Sequence, residues 1–192
     1  QLIERMGHSQ GGAIAYLLTA YLYQLQEQGE LPRDIRFKTY CSAAPKPGNL
    51  YFAYEYEHLT AGGWAFNVVN SADWVPETPI SIQTLDDFNK TNPFVHAEEL
   101  IKQQKFPQRV ALNFAYNKLD KPTRKAKDNY RKFLGEMTTK SIQEHIEGFQ
   151  PPTFFDSNHY VRTGHTVVLF ADEAYYERFP DKEEEPFIHH IF

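Results

Sequence analysis

The chain has one cysteine, Cys41, among its 192 residues. That excludes an internal disulfide framework and leaves the redox compartment open. Long apolar runs are missing as well: none approaches the ~18 residues of a membrane-spanning helix, and no secretory-signal pattern is legible. Basic residues are in deficit, 20 Lys and Arg against 25 Asp and Glu, for a net charge of −5. This argues against a nucleic-acid partner, whose phosphates call for a basic footprint. There are no internal repeats or low-complexity tracts, which sets aside solenoids and disordered spacers. What is present suits a packed core, with 41% hydrophobic and 15% aromatic residues. The length fits one domain or most of one.

The run Gly7-His8-Ser9-Gln10-Gly11-Gly12 carries the most chemistry. A G-x-S-x-G pattern between a strand and a helix reads as a nucleophile elbow, a sharp turn holding a reactive serine in a sparsely populated backbone conformation. Side chains two before and two after the serine would collide across such a turn, and Gly7 and Gly11 have none. Gly12 lets the following helix pack close to its strand. Residues 2–6 read as that strand, and Ile14, Leu17, Leu18, Tyr21, Leu22 and Leu25 recur at helical spacing before Gly29. This apolar stripe is expected to face the core. A helix starting at Ser9 would aim its free N–H groups and positive dipole end at any oxyanion formed there. Chance occurrence of so short a motif is the competing reading.

Further along, residues 35–41 alternate like a strand and run into a small-residue turn from Ser42 to Asn49. A helix is expected over 49–59 and another strand over 65–70, followed by Ser71-Ala72-Asp73-Trp74-Val75-Pro76. Strands separated by helices indicate a mainly parallel α/β sheet flanked by helices. Ser9 and Asp73, each just past a strand end, would then meet at one rim. From about residue 80 to 152 the pattern turns polar and helical, with helices expected over 94–104, 109–117 and 122–146. The reading is of one domain over 1–192 with this stretch as a helical insertion before the last strand. Strand signals return at 160–161 and 166–170. A first strand that already carries the nucleophile is expected at a sheet edge, with the N-terminal strands of the domain outside this chain.

Taken together, the elbow, the turn with Pro45 and Gly48-Asn49, the stretch Asn70 to Pro76, and Tyr160-Val161-Arg162-Thr163-Gly164 resemble the fungal-type class 3 lipases. The resemblance implies an α/β-hydrolase fold, of which this chain would be the C-terminal portion. It also implies a Ser-His-Asp triad, with Ser9 as nucleophile, Asp73 as acid and the Gln10 N–H as one oxyanion-hole donor. In the family the base follows the last strand and opens a final helix, which points to His190, with His189 and His165 as alternatives. His8, inside the elbow, is read as pointing away from the serine. For Asp73 a second role stays open, since an Asp after a strand often caps a turn.

The implied activity is carboxylic-ester hydrolysis through an acyl-enzyme, as a triacylglycerol lipase or carboxylesterase acting on acylglycerols or small esters. Such chemistry needs no metal or organic cofactor. The resemblance suggests a secreted or periplasmic protein; the basic stretch from Lys118 to Lys132 reads first as a solvated helix face, with transient contact with an anionic lipid interface as the alternative. The alternative is a non-catalytic lipase-like scaffold or partner-binding module, because the family's second oxyanion donor and lid belong upstream of the elbow.

Overall fold

Strand β1 (Leu2–His8) passes into helix α1 (Gln10–Glu27) through Ser9 alone. The structure, a computed structural model, describes residues 1–191. Gln1–Ile80 and the chain from Tyr160 onward build one unit; Ser81–His159 builds a second.

In the first unit, β2 (Arg36–Ser42), β4 (Ala65–Asn70) and β6 (His165–Leu169) join β1 in a four-stranded sheet of order β1-β2-β4-β6. Every pairing is parallel. The sheet with its helices is the mainly parallel α/β architecture expected, and β1 lies at one edge of it. The register brings His8, Ser42 and Val68 level at the carboxyl ends of their strands. A short antiparallel ladder pairs β3 (Gly48–Asn49) with β5 (Tyr160–Val161). Helix α2 (Leu50–Leu59) starts on Asn49, whose side chain accepts from the Phe52 N–H at 2.9 Å. Helices α6 (Glu173–Arg178) and α7 (Ile188–Ile191) follow β6 once the range of the helical unit has been passed.

Alternation decides which strand residues are buried: Phe37, Thr39 and Cys41 of β2 and Ala65, Asn67 and Val69 of β4 point inward. The core is completed by Ala15, Tyr16, Ala44 and Tyr56, with the two tyrosine rings edge-on at 5.3 Å. Several of its polar atoms are partnered, while the Tyr56 hydroxyl and the Asn67 Oδ1 are buried without a hydrogen-bond partner. Thr19 and Thr39 share a hydroxyl hydrogen bond of 2.8 Å, and the Tyr16 hydroxyl donates to the Thr163 carbonyl at 3.1 Å. Buried Gln26 donates to the carbonyls of Pro32 and Ile35, closing the connection from α1 to β2.

Helix α1 does not use its apolar stripe as the sequence suggests. Ile14, Leu17, Leu18 and Tyr21 are exposed, while Gly12, Ala15, Tyr16 and Thr19 face the core. The cause is the close approach at Gly12: a Cβ there would stand 2.6 Å from the Ala44 Cβ. A helix seated that tightly can turn only small residues and one tyrosine toward the sheet.

The second unit holds α3 (Ala97–Lys102), α4 (Phe106–Tyr130), a π-helical segment (Arg131–Glu136) and α5 (Met137–His145), after short 3-10 turns. An isolated antiparallel bridge joins Ile82 to Asn158. The break expected before Pro122 is absent, and α4 continues through it. The carbonyl that Pro122 leaves without its usual donor belongs to exposed Lys118, and the Thr123 hydroxyl donates back to the Asp120 carbonyl at 2.8 Å. Among the described residues no helix is long and apolar enough to cross a membrane.

Candidate active site

Ser9 is a non-glycine residue with φ 57° and ψ −128°. L-residues rarely occupy this region, and the neighbouring structure must hold it there. The Ser9 N–H donates to the Ser42 carbonyl at 2.9 Å, while the Ser9 carbonyl accepts from Gly12 and Ala13 and so starts α1. Serine at this position commonly caps its helix with the side chain. Here it makes no such bond, so the hydroxyl is not consumed by structure. Gln10 and Gly11 follow at the helix N-terminus, where N–H groups lack intrahelical acceptors.

The two glycines flanking the serine differ. A Cβ on Gly7 would fall 2.2 Å from the Gly11 carbonyl oxygen, so only glycine fits. A Cβ on Gly11 would meet nothing within 4 Å. The steric demand assigned to both positions therefore falls on Gly7 alone, with Gly12 carrying the second close approach.

Asp73 sits in the turn after β4, its side chain 1% exposed. Its Oδ1 accepts from the Val75 N–H at 2.9 Å, and its Oδ2 pairs with His190 Nδ1 at 2.8 Å. The turn-capping role and the histidine-holding role thus coexist, one on each oxygen. Because Nδ1 faces a carboxylate, it carries the proton, and Nε2 of the neutral ring presents a lone pair. The His190 side chain is 8% exposed, and Phe187 meets its ring edge-on at 6.0 Å.

His189 is held differently. Its Nε2 pairs with Asp181 Oδ1 at 2.8 Å and its Nδ1 with the Tyr175 hydroxyl at 3.1 Å, leaving neither nitrogen spare. His165 opens β6, its ring edge-on against Phe66 at 5.5 Å. His8 does not simply point away into packing: its Nδ1 lies 3.3 Å from the Ser42 Oγ, and its ring centroid 4.8 Å from that of His190. The chain thus brings Asp73, His190 and the elbow residue beside Ser9 together. Among the described residues Ser9 Oγ and His190 Nε2 make no direct hydrogen bond.

Several residues that sequence reasoning did not single out hold this arrangement. The Asn70 side chain donates to the Tyr175 hydroxyl at 2.8 Å and to the His189 carbonyl at 3.3 Å, and its Oδ1 accepts from the Ala72 N–H. The Trp74 indole donates to the Pro186 carbonyl at 2.7 Å and packs on Phe187. Asn70 and Trp74 flank Asp73 in the motif itself, the one signal that would have found them. Among the described residues no group of His, Cys, Asp and Glu is placed to hold a metal ion.

Residues 4–82 match the family model for lipase (class 3). No curated protein matches. Among solved structures, the crystal structure of M37 lipase is similar at 23% identity and a TM-score of 0.37, over 61% of this chain and 33% of that one. The chain therefore spans about a third of that lipase's length. The matched residues carry the elbow and the Asp73 turn, so this part of the chain is similar to the class 3 lipases.

Proposed function

We propose that the chain is a serine carboxylic-ester hydrolase, a lipase or carboxylesterase, with Ser9 as nucleophile, His190 as general base and Asp73 as the acid that orients it. The observation that carries this reading is the 2.8 Å contact between Asp73 Oδ2 and His190 Nδ1, which turns Nε2 into the basic atom of the ring. In the reaction the Ser9 hydroxyl comes within hydrogen-bond reach of Nε2, gives it a proton and attacks the ester carbonyl. The Gln10 N–H stabilises the oxyanion. Protonated His190 hands its proton to the departing alcohol, leaving an acyl-serine. Water then attacks that ester with His190 again as base, releasing the acid and restoring Ser9. Asp73 stays ionised and stabilises each imidazolium.

The spare Ser9 hydroxyl at the end of a helix supports this reading, since a merely structural serine would cap that end. The substrates proposed are acylglycerols or smaller esters. A panel of nitrophenyl esters separates them: preference for long acyl chains with activation at emulsions identifies a lipase, and preference for short chains an esterase.

A fluorophosphonate probe tests the reading directly. Labelling is expected on Ser9 and should vanish in Ser9→Ala. The second reading, a lipase-like scaffold without catalysis, draws on the missing direct bond between Ser9 and His190. A folded chain that the probe leaves unlabelled would establish it.

A further inference from the structure

The cations of α4 and the π-helical segment divide by face. Arg124 engages Asp120 at 2.7 Å and Asp86 at 2.5 Å, while Lys127 and Arg131 engage Asp156 at 3.1 and 3.5 Å. These contacts occupy Asp86, Asp120 and Asp156, whereas exposed Asp128, three residues beyond Lys125 and four before Lys132, forms no ion pair among the described residues. Lys118, Lys121, Lys125 and Lys132 have no carboxylate partner among the described residues. At about 3.6 residues per turn these four fall on one side of the helix.

That side is also apolar. Phe114 on this side is 65% exposed, and Phe133 at its border is 56% exposed. Two of the lysines stand over these rings: Lys118 Nζ lies 5.6 Å from the Phe114 centroid and Lys132 Nζ 5.6 Å from that of Phe133. Water alone would suit the charges and a protein core alone would suit the rings. A surface with anionic head groups over hydrocarbon suits both, because lysine stems lie along apolar matter while their ammonium groups reach the head groups. The chain as a whole carries −5, so attraction to an anionic surface must come from this local face, which would also orient the approach.

We propose that the outward face of α4 and the start of the π-helical segment, built on Phe114, Lys118, Lys121, Lys125 and Lys132, docks on an anionic phospholipid bilayer. The helix lies along the membrane plane with the ammonium groups at the lipid phosphates and carboxylates and the rings at the acyl boundary. The inference stands independently of the hydrolase reading, since it concerns binding and not turnover. Each lysine near such a surface contributes a factor of about five in partitioning. Four together give a preference on the order of 10²–10³ for anionic over neutral vesicles.

Co-sedimentation of the full chain with vesicles tests this at physiological salt. Vesicles containing phosphatidylserine should bind the chain at least about 10²-fold more tightly than pure phosphatidylcholine, and added salt should release it. Lys118→Glu/Lys121→Glu/Lys125→Glu should abolish binding. Lys118→Gln/Lys121→Gln/Lys125→Gln, with helix content checked by circular dichroism, should weaken it in the same direction. Phe114→Ser should weaken binding about tenfold. Ser9→Ala should bind as the parent does, which keeps this test apart from that of the chemistry. Equal binding to both lipids, undiminished binding by the glutamine variant, or binding to soluble heparin without binding to vesicles would each overturn the proposal.

Discussion

At the scale of single residues, two adjacent histidines have opposite assignments. His190 faces Asp73 through one nitrogen and offers the other, whereas His189 spends both on Tyr175 and Asp181. His190→Ala should therefore lower kcat by ~10⁴-fold or more while the fold survives, as deletions within a triad do. His189→Ala should instead lower the melting temperature by removing a buried hydrogen-bonded group, worth about 1–3 kcal/mol, with a far smaller loss of kcat. Steady-state kinetics beside thermal denaturation separate the two, and near-parental turnover in His190→Ala would overturn the assignment. The turn around Ser9 was legible because an elbow demands a particular turn chemistry, and the place of Asp73 because it follows a strand end. The choice between two neighbouring histidines was not legible from local sequence. It depends on Asn70, Tyr175 and Asp181, and only folding brings Asn70, 105 residues away, to Tyr175.

At the scale of elements, the elbow joins β1 to α1 by the smallest available contacts. Gly7→Ala should cost about 2–3 kcal/mol, because the new methyl would press on backbone atoms that cannot move without shifting the helix. Gly11→Ala enters open space within a helix and should be neutral or stabilising by up to about 1 kcal/mol. Urea denaturation of the two variants checks the contrast; similar losses in both would mean the turn is tight on both sides. Strand positions were read well from alternation, since period-two burial in β2 and β4 follows from the pleat. The buried face of α1 was not, because a pattern rule assumes that large apolar residues face the core. Here the separation between helix and sheet is set by Gly12 and Ala44 and leaves no room for leucines. Pro122 misled in the same manner: a helix tolerates it where the orphaned carbonyl faces water.

At the scale of the whole molecule, stability should respond to alkaline pH through groups that burial keeps neutral. Burial pushes the Cys41 thiol up from its ordinary value near 9 to about 12, and burial raises Tyr16 and Tyr56 as well. The folded chain holds these protons where the unfolded chain would release them. The Cys41 contribution is therefore intact below pH 9 and is lost as pH rises from 9 toward 12, and that of the tyrosines begins to fall only above their ordinary value near 10. For Cys41 the loss is on the order of 4 kcal/mol across that window. Chemical denaturation between pH 8 and 11 should show the decline, and Cys41→Ala should flatten it; a level profile in the parent would contradict the burial argument. Composition could forecast a core of this kind but not which hydroxyls and thiol it would enclose, since that follows from how Thr19, Thr39 and the two tyrosines pack between α1, α2 and the sheet.

One feature of connectivity bears on the protein's biosynthesis. Asp73 and His190 are 117 residues apart, with the whole helical unit threaded between them. On a ribosome the serine-bearing turn and the carboxylate emerge before the imidazole that would couple them. Under the proposed chemistry the nascent chain is thus inert toward the lipids of the cell until its synthesis has passed His190, a timing imposed by the order of the gene and needing no separate inhibitor.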